Sequence, residues 1–309
     1  MNAETLRRRI EGINVWRRGD ERAPHKPLLL LYALGRVRRG EPRLADYEEV
    51  DGKLRRLLGD FGPPRKVHHP EYPFWRLEND GVWRIEGPKR DEIHERPADP
   101  SARYLIEHEM RGGFPEEIQE LLTGDPELVS ELAGKILEAS FPRTLHEDLL
   151  DEVGLELDVR TRTERARDPA FREKVMRAYE YRCAVCGFDV RLRDSLVGLE
   201  AAHIKWHQAG GPDTEENGLA LCALHHKLFD RGAFTVSPER AFLVSEEAHG
   251  TTGIHTALLD HHGRELEGPQ SEAYAPREEY LSWHGREVFR GPAREGEWEL
   301  DVSKGCPTG

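Results

Sequence analysis

The sequence predicts an α+β protein, with a mainly helical N-terminal half that carries one β-hairpin and a zinc-stabilised strand-loop-helix unit behind it. Three observations carry this reading. Apolar residues recur at spacings of three and four through much of residues 4–153, the period of amphipathic helices. An Asn79-Asp80-Gly81 turn between aromatic-rich arms interrupts them and signals a hairpin. Two knuckles, Cys183-Ala-Val-Cys186 and Cys222-Ala-Leu-His225, bracket an apolar run, Leu199–Ile204, that reads as a strand.

Taken in order, Glu4–Arg18 places Leu6, Ile10, Ile13 and Trp16 on one helical face. The loop Gly19–Pro27 ends that helix, and Pro27 opens an apolar helix, Leu28–Arg39, central to a core. A helix over Leu44–Leu58 stops at Gly62-Pro63-Pro64. The hairpin then spans His68–Ile85, with strand alternation setting Phe74 on the face opposite Pro73 and Trp75. Helices are expected at Ala102–Met110, Pro115–Leu121, Pro126–Phe141 and Leu145–Val153. A connector, 155–168, leads to a helix over Ala170–Tyr179 and the first knuckle. Short strands follow at Phe234–Val236 and Ala241–Val244. Leu281–Phe289 packs on the C-terminal core, and the tail from Gly291 is expected to be poorly ordered. The domains are therefore 1–154, a linker 155–168, and 169–309, sizes that suit 309 residues.

Composition narrows the function classes. No apolar run reaches membrane-spanning length, and Met1–Glu11 lacks the apolar core of a signal peptide. Cysteines placed in metal knuckles suit a reducing cytoplasm, with Cys306 incidental in a polar tail. A net charge of −13 argues against indiscriminate nucleic-acid binding. Basic residues nevertheless cluster in two segments, residues 1–40 and 160–193, the second holding Arg172, Lys174, Arg177, Arg191 and Arg193. Such segments are either phosphate-facing or ordinary solvated helix surface.

The chemistry concentrates between Cys183 and Asp230. Two knuckles supply four soft or borderline ligands, Cys183, Cys186, Cys222 and His225, to one tetrahedral structural zinc. A lone C-x-x-C would equally suit a redox pair; the second knuckle favours zinc. Between the knuckles lie His203 on the strand and Asn217 in the loop after Gly210-Gly211-Pro212-Asp213, and just past the second come His226 and Asp230, four apart on one helical face. Taken singly, these are a surface histidine, a loop amide and a helix-terminal acid. In this order the stretch resembles the HNH endonuclease family, whose ββα-metal unit pairs two strands with a helix around one ion. That resemblance implies His203 as general base, Asn217 as the residue that holds its loop, and His226 as the third signature residue. It also implies that His226 and Asp230 hold a catalytic Mg²⁺, Mn²⁺ or other divalent ion. The strand position where many relatives carry a further ligand is Ala202 here, and Glu200 shares its strand face.

The N-terminal half carries a second resemblance. Arg22-Ala-Pro-His25-Lys26-Pro-Leu-Leu-Leu-Leu together with Tyr72-Pro73-Phe74-Trp75 and Asn79-Asp-Gly-Val-Trp83 is similar to the sulfur-binding domain of phosphorothioate-dependent, type IV (McrA-like) restriction endonucleases. That family sets such a domain ahead of an HNH nuclease. The resemblance implies double-stranded DNA, phosphorothioate-modified, as partner, read by Arg22, His25, Lys26, His69, Tyr72, Pro73 and Trp75. Sulfur is larger and less hydrated than oxygen, so an apolar dent of Pro73 and the Tyr72 ring would bind it at low desolvation cost. Arg22, His25 and Lys26 would supply positive charge, and Phe74 would pack the core. Other readings stay open: an HNH nuclease reading a methylated base or plain sequence, or a non-catalytic zinc-containing DNA-binding protein. A homodimer would allow both strands to be cut.

Overall fold

The computed structural model describes residues 1–13, 19–94, 98–156 and 169–295. The Trp16 end of the first expected helix, the linker from 157 to 168 and Cys306 fall outside the described residues.

Around helix α2 (His25–Arg38) the N-terminal half is assembled, because Pro27–Val37 is buried on every face. A helix apolar all round can only sit inside a core. Against it lie α3 (Tyr47–Phe61), α4 (Glu71–Arg76), α7 (Glu116–Gly124), α8 (Pro126–Ser140) and α9 (His146–Val153), and α1 (Ala3–Glu11) packs on α8. The short helices α5 (Arg90–His94) and α6 (Ala102–Glu107) complete the set. A three-stranded sheet joins β1 (Leu44–Asp46), β2 (Arg84–Glu86) and β3 (Arg111–Gly113) in the order β1-β3-β2, all antiparallel. Leu44–Asp46, expected as the start of a helix, is thus a strand.

The expected hairpin at His68–Ile85 is not formed. Glu71–Arg76 is helical, a 3₁₀ turn covers Leu77–Asp80, and Arg84–Glu86 pairs with Arg111–Gly113 instead. Pro73 sits in the first turn of α4, where its missing N–H costs nothing. Helical spacing buries Phe74 and Leu77 together, and the Phe74 ring meets Tyr47 edge-on at 4.8 Å. Gly81, at φ 70°, ends the turn as the Asn-Asp-Gly signal required, but it links a helix to a strand.

In the C-terminal half, α10 (Pro169–Ala178) leads to the first knuckle. The strands β4 (Arg191–Leu192) and β5 (Ser195–Leu196) form a small ribbon. Strands β6 (Leu199–His203) and β7 (Gly218–Cys222) pair antiparallel, with Leu199 opposite Cys222 and His203 opposite Gly218. Helix α11 (Ala223–Asp230) follows β7 directly, giving the strand-strand-helix unit. Beyond it lie β8 (Phe234–Val236), β9 (Phe242–Val244), α12 (Gly253–Ala257) and α13 (Glu278–Glu287). The core here joins Phe171, Val175, Ala201, Leu221, Phe229 and Phe234. The chain from Gly291 is ordered at its start, contrary to expectation: Ser245 bridges Ala293, and Arg294 N–H donates to the Val244 carbonyl at 2.8 Å. None of the described helices is long and apolar enough to cross a membrane.

Trp206, Trp283 and Val288 of the C-terminal half are built into the N-terminal core. Helix α13 therefore serves both halves. Its Leu281 packs on the C-terminal core while Trp283 reaches the other and donates to the Asp20 carbonyl at 2.8 Å.

Candidate active site and metal centre

The ligand atoms of Cys183, Cys186, Cys222 and His225 all lie within 4.8 Å of one another. Corners of a zinc tetrahedron with sulfur bonds of about 2.3 Å stand roughly 3.5–3.8 Å apart, so the four fit one ion. His225 points Nδ1 at the sulfurs, 3.1 Å from Cys222 and 3.7 Å from Cys183, and its Nε2 lies 2.8 Å from the Ala257 carbonyl. That carbonyl accepts a hydrogen bond from an Nε2–H, the tautomer that leaves the Nδ1 lone pair for a metal. The knuckle is tied to β7, since Ala184 N–H donates to the Ala220 carbonyl at 2.8 Å.

His203 ends β6 with its ring stacked on Phe171 at 3.9 Å. Its Nε2 lies 2.7 Å from Asp213 Oδ1. Burial pulls the imidazole below its ordinary pKa; the Asp213 charge pushes the other way, as does that of Asp230. The ring is therefore neutral near pH 7, the state a proton acceptor needs.

Asn217 is fully buried and clamps the intervening loop. Its carbonyl oxygen accepts from Lys205 N–H at 2.8 Å, and its amide donates to the Lys205 and Pro212 carbonyls at 3.0 Å each. Gly211 is required there, because a Cβ would come within 1.8 Å of the Lys205 carbonyl oxygen.

His226 and Asp230 face each other on α11, Nε2 to Oδ2 at 3.2 Å, while His226 Nδ1 meets Glu200 Oε2 at 2.6 Å. A neutral imidazole has one N–H and can serve only one of two carboxylates. The other nitrogen calls for a second proton or a cation. Neighbouring ligand atoms in an octahedral magnesium shell stand about 3 Å apart, so the His226–Asp230 pair fits a divalent ion. Asp230 is buried; burial opposes its charge, yet His226 and Thr144 hold the carboxyl below its ordinary value. Trp206 Nε1 donates to Asp230 Oδ1 at 3.0 Å, and the Thr144 hydroxyl donates to Oδ2. Thr144 belongs to the N-terminal half, so that half completes the surroundings of a candidate metal ligand.

The same junction corrects the expectation for Arg22. Its guanidinium lies 3.8 Å over the Trp206 ring and donates to the Glu287 and Phe61 carbonyls at 2.8 and 2.7 Å. It joins the two halves and does not supply charge to a DNA-facing patch. Glu287 is also held by Arg65 at 2.7 Å.

The remaining expected DNA-reading residues lie near α4. His25 was expected to be cationic; burial, with His68, His69 and Arg65 nearby, pushes it down to about 4, so it is a neutral group at pH 7. Lys26 is paired with Asp80 at 2.6 Å, its charge compensated within the fold. Pro73 is buried, and the Tyr72 ring beside it is exposed, 40% accessible. His69 stacks on Tyr72 at 4.8 Å and its Nδ1 lies 2.8 Å from Glu71. Arg76 also lies over the Tyr72 ring, at 4.8 Å. Trp75 is half-buried against the N-terminal core.

Sequence reasoning passed over Asp213, Trp206 and Thr144. Asp213 was read only as part of a turn signal, and nothing local links Thr144 to Asp230 across 86 positions.

The family model described as ScoMcrA-like, DNA sulfur-binding domain matches residues 3–158, and an HNH endonuclease model matches residues 183–237. No curated protein matches the chain. Among solved structures, the sulfur-binding domain of SprMcrA complexed with phosphorothioated DNA is 26% identical, with a TM-score of 0.42. The match covers 50% of this chain and 95% of that one. The corresponding ScoMcrA domain complex is 26% identical with a TM-score of 0.42, covering 48% and 95%. The type IV phosphorothioation-dependent restriction endonuclease ScoMcrA is 24% identical with a TM-score of 0.40, covering 48% of this chain and 27% of that one. The sulfur-binding model takes in half of the 309 residues, and the chain belongs to the ScoMcrA-like DNA sulfur-binding domain family, with an HNH endonuclease domain following it.

Proposed function

We propose that this chain is a modification-dependent DNA endonuclease. Residues 1–154 read phosphorothioate-modified duplex DNA, 155–168 link, and 169–309 hydrolyse a nearby phosphodiester. The observation that carries the reading is one chain in which a sulfur-binding family domain precedes a strand-strand-helix unit bearing His203, Asn217 and His226.

In this mechanism His203 takes a proton from the attacking water, with Asp213 orienting its ring and Asn217 fixing the loop beneath it. His226 and Asp230 would hold a divalent ion. When bound, such an ion offsets charge developing on the phosphate and the leaving 3′ oxygen. Cys183, Cys186, Cys222 and His225 would hold a structural zinc, which would fasten the first knuckle to the end of β7 and the start of α11. Near α4, the Tyr72 ring offers apolar contact to sulfur, His25 and His69 approach as neutral or hydrogen-bonded groups, and Trp75 lines the edge. A poorly hydrated sulfur loses little on leaving water for such a surface. The acidic chain repels unmodified backbone, so discrimination rests on the mark.

Binding of the full chain to paired duplexes, identical except for one phosphorothioate, tests the reader. The sulfur-bearing duplex is expected to bind at least about tenfold tighter, a difference of about 1.4 kcal/mol. Equal affinity would eliminate sulfur recognition and favour a reader of bases.

Asp213→Asn tests the mechanism by pH. Asp213 raises the His203 pKa against the pull of burial. Its neutralisation therefore lowers that pKa further and moves the acidic limb of the cleavage profile to lower pH. The plateau falls about tenfold or more, as for a lost orienting partner. An unmoved acidic limb would separate Asp213 from His203.

A further inference from the structure

The loop that carries His203's partner also brings a second imidazole to the same place. His207 Nδ1 lies 3.6 Å from Asp213 Oδ1, and His203 Nε2 lies 2.7 Å from that same oxygen. The three ligand atoms all fall within 4.8 Å of one another. We propose that His203, His207 and Asp213 form a separate binding site for a borderline transition cation of the zinc class, and that its occupancy switches the nuclease off. The inhibitory half of this proposal rests on His203 being the base.

Geometry supports a site that exists before the ion arrives. The Asn217 side chain pins Lys205 and Pro212, and Gly211 N–H donates to the Trp206 carbonyl at 3.0 Å. The loop is thus closed on itself, with His207 and Asp213 brought up to His203. Phe171 stacks on the His203 ring and fixes the direction of its Nε2. Two imidazole nitrogens and one carboxylate are a three-residue donor set that leaves a position open for water. The His207 side chain is 68% exposed, so the site opens to solvent.

This site offers two imidazoles and one carboxylate where the His226–Asp230 pair offers one of each, which tilts it toward a softer cation. Magnesium prefers oxygen ligands and sheds water reluctantly, whereas imidazole suits zinc, nickel and copper. Coordination through Nε2 would displace to solvent the proton that Nε2 donates to Asp213, with Nδ1 taking one up so that the ring stays neutral, and the Nε2 lone pair would go to the metal. A ring in that state has no lone pair for the proton of an attacking water, whichever nitrogen normally accepts it. Only the protein–metal bonds form, and the hydrogen bond from His203 to Asp213 is exchanged for them.

The full chain, already carrying one equivalent of zinc in its cysteine knuckles, would be titrated calorimetrically with zinc chloride and assayed for cleavage in excess magnesium. His207→Ala removes an exposed ligand outside the proposed catalytic set. Wild type is expected to take up one more zinc than the variant. Both should cleave equally in magnesium alone. The zinc concentration for half-inhibition should rise by at least about tenfold in the variant, since even lost outer partners weaken metal sites 10–100-fold. Equal zinc uptake and equal inhibition in the two proteins would overturn the proposal. Unequal uptake in a wild type that fails to cleave in magnesium would uphold the site and sink the nuclease reading instead.

Discussion

Replacing His203 with alanine is expected to reduce DNA cleavage by about 10²- to 10⁴-fold, the contribution typical of a positioned proton acceptor. Binding to phosphorothioate duplex should stay within about twofold of wild type, a difference near RT in free energy. The two effects separate because His203 lies in the C-terminal half, at the end of β6, and the loop after it is fixed by Asn217 and not by the imidazole. The substitution removes the ring stacked on Phe171 and leaves Asp213 facing solvent, without opening the cores on either side. A variant that cuts within about tenfold of wild type would take His203 out of the proton-accepting role. A variant that also fails to bind would show a folding defect, which the melting temperature would reveal.

Losing the knuckle zinc should have the largest effect on stability. Cys183, Cys222 and His225 are buried, and their neighbours Ala184 and Ala220 tie the knuckle to β7. Structural zinc sites contribute on the order of 10 kcal/mol or more, as much as the whole stability of an ordinary domain. Cys222→Ser is therefore expected to lower the melting temperature by more than about 10 °C, since each kcal/mol is worth a few degrees in a chain of this size. Metal analysis should find one tightly held zinc per chain in wild type and none in the variant. Melting is the right readout, because chelation would also strip any ion from His226 and Asp230 and stop cleavage for another reason. A metal-free wild type that melts at the same temperature as the zinc-loaded protein would contradict the structural role.

What the sequence made legible was local. The apolar run at Leu28–Val37 marked a buried helix, and the spacing of His226 and Asp230 placed both on one face of α11. The knuckles were legible because a metal site needs its ligand types at fixed intervals. The segment at Tyr72–Trp75 was misread because a short aromatic run with a following Asn-Asp-Gly turn suits a strand as well as a helix. The outcome was decided by tertiary burial of Phe74 and Leu77. Arg22 was misassigned for a related reason. Charge alone does not say whether an arginine faces phosphate or a partner within the fold, and here it meets Trp206 and two carbonyls. His25 reads as a cation in one dimension and becomes neutral only through burial among other positive groups. Asp213, His207 and Thr144 reach the site through loop closure and packing between the halves, which no spacing rule records.

The junction between halves also bears on how reading and cutting are joined. Thr144, Arg22 and Trp283 make the N-terminal half part of the surroundings of Asp230 and α13. The N-terminal half thus touches both α11 and α13 directly.

Cleavage of the same two duplexes, one with a single phosphorothioate and one without, is the most direct measure of the whole account. Purified full-length protein, zinc-loaded and supplied with magnesium or manganese, should cut the sulfur-bearing duplex and spare its unmodified twin. Equal cutting of both would contradict the assignment of a sulfur reader. Two intact duplexes would contradict the nuclease itself.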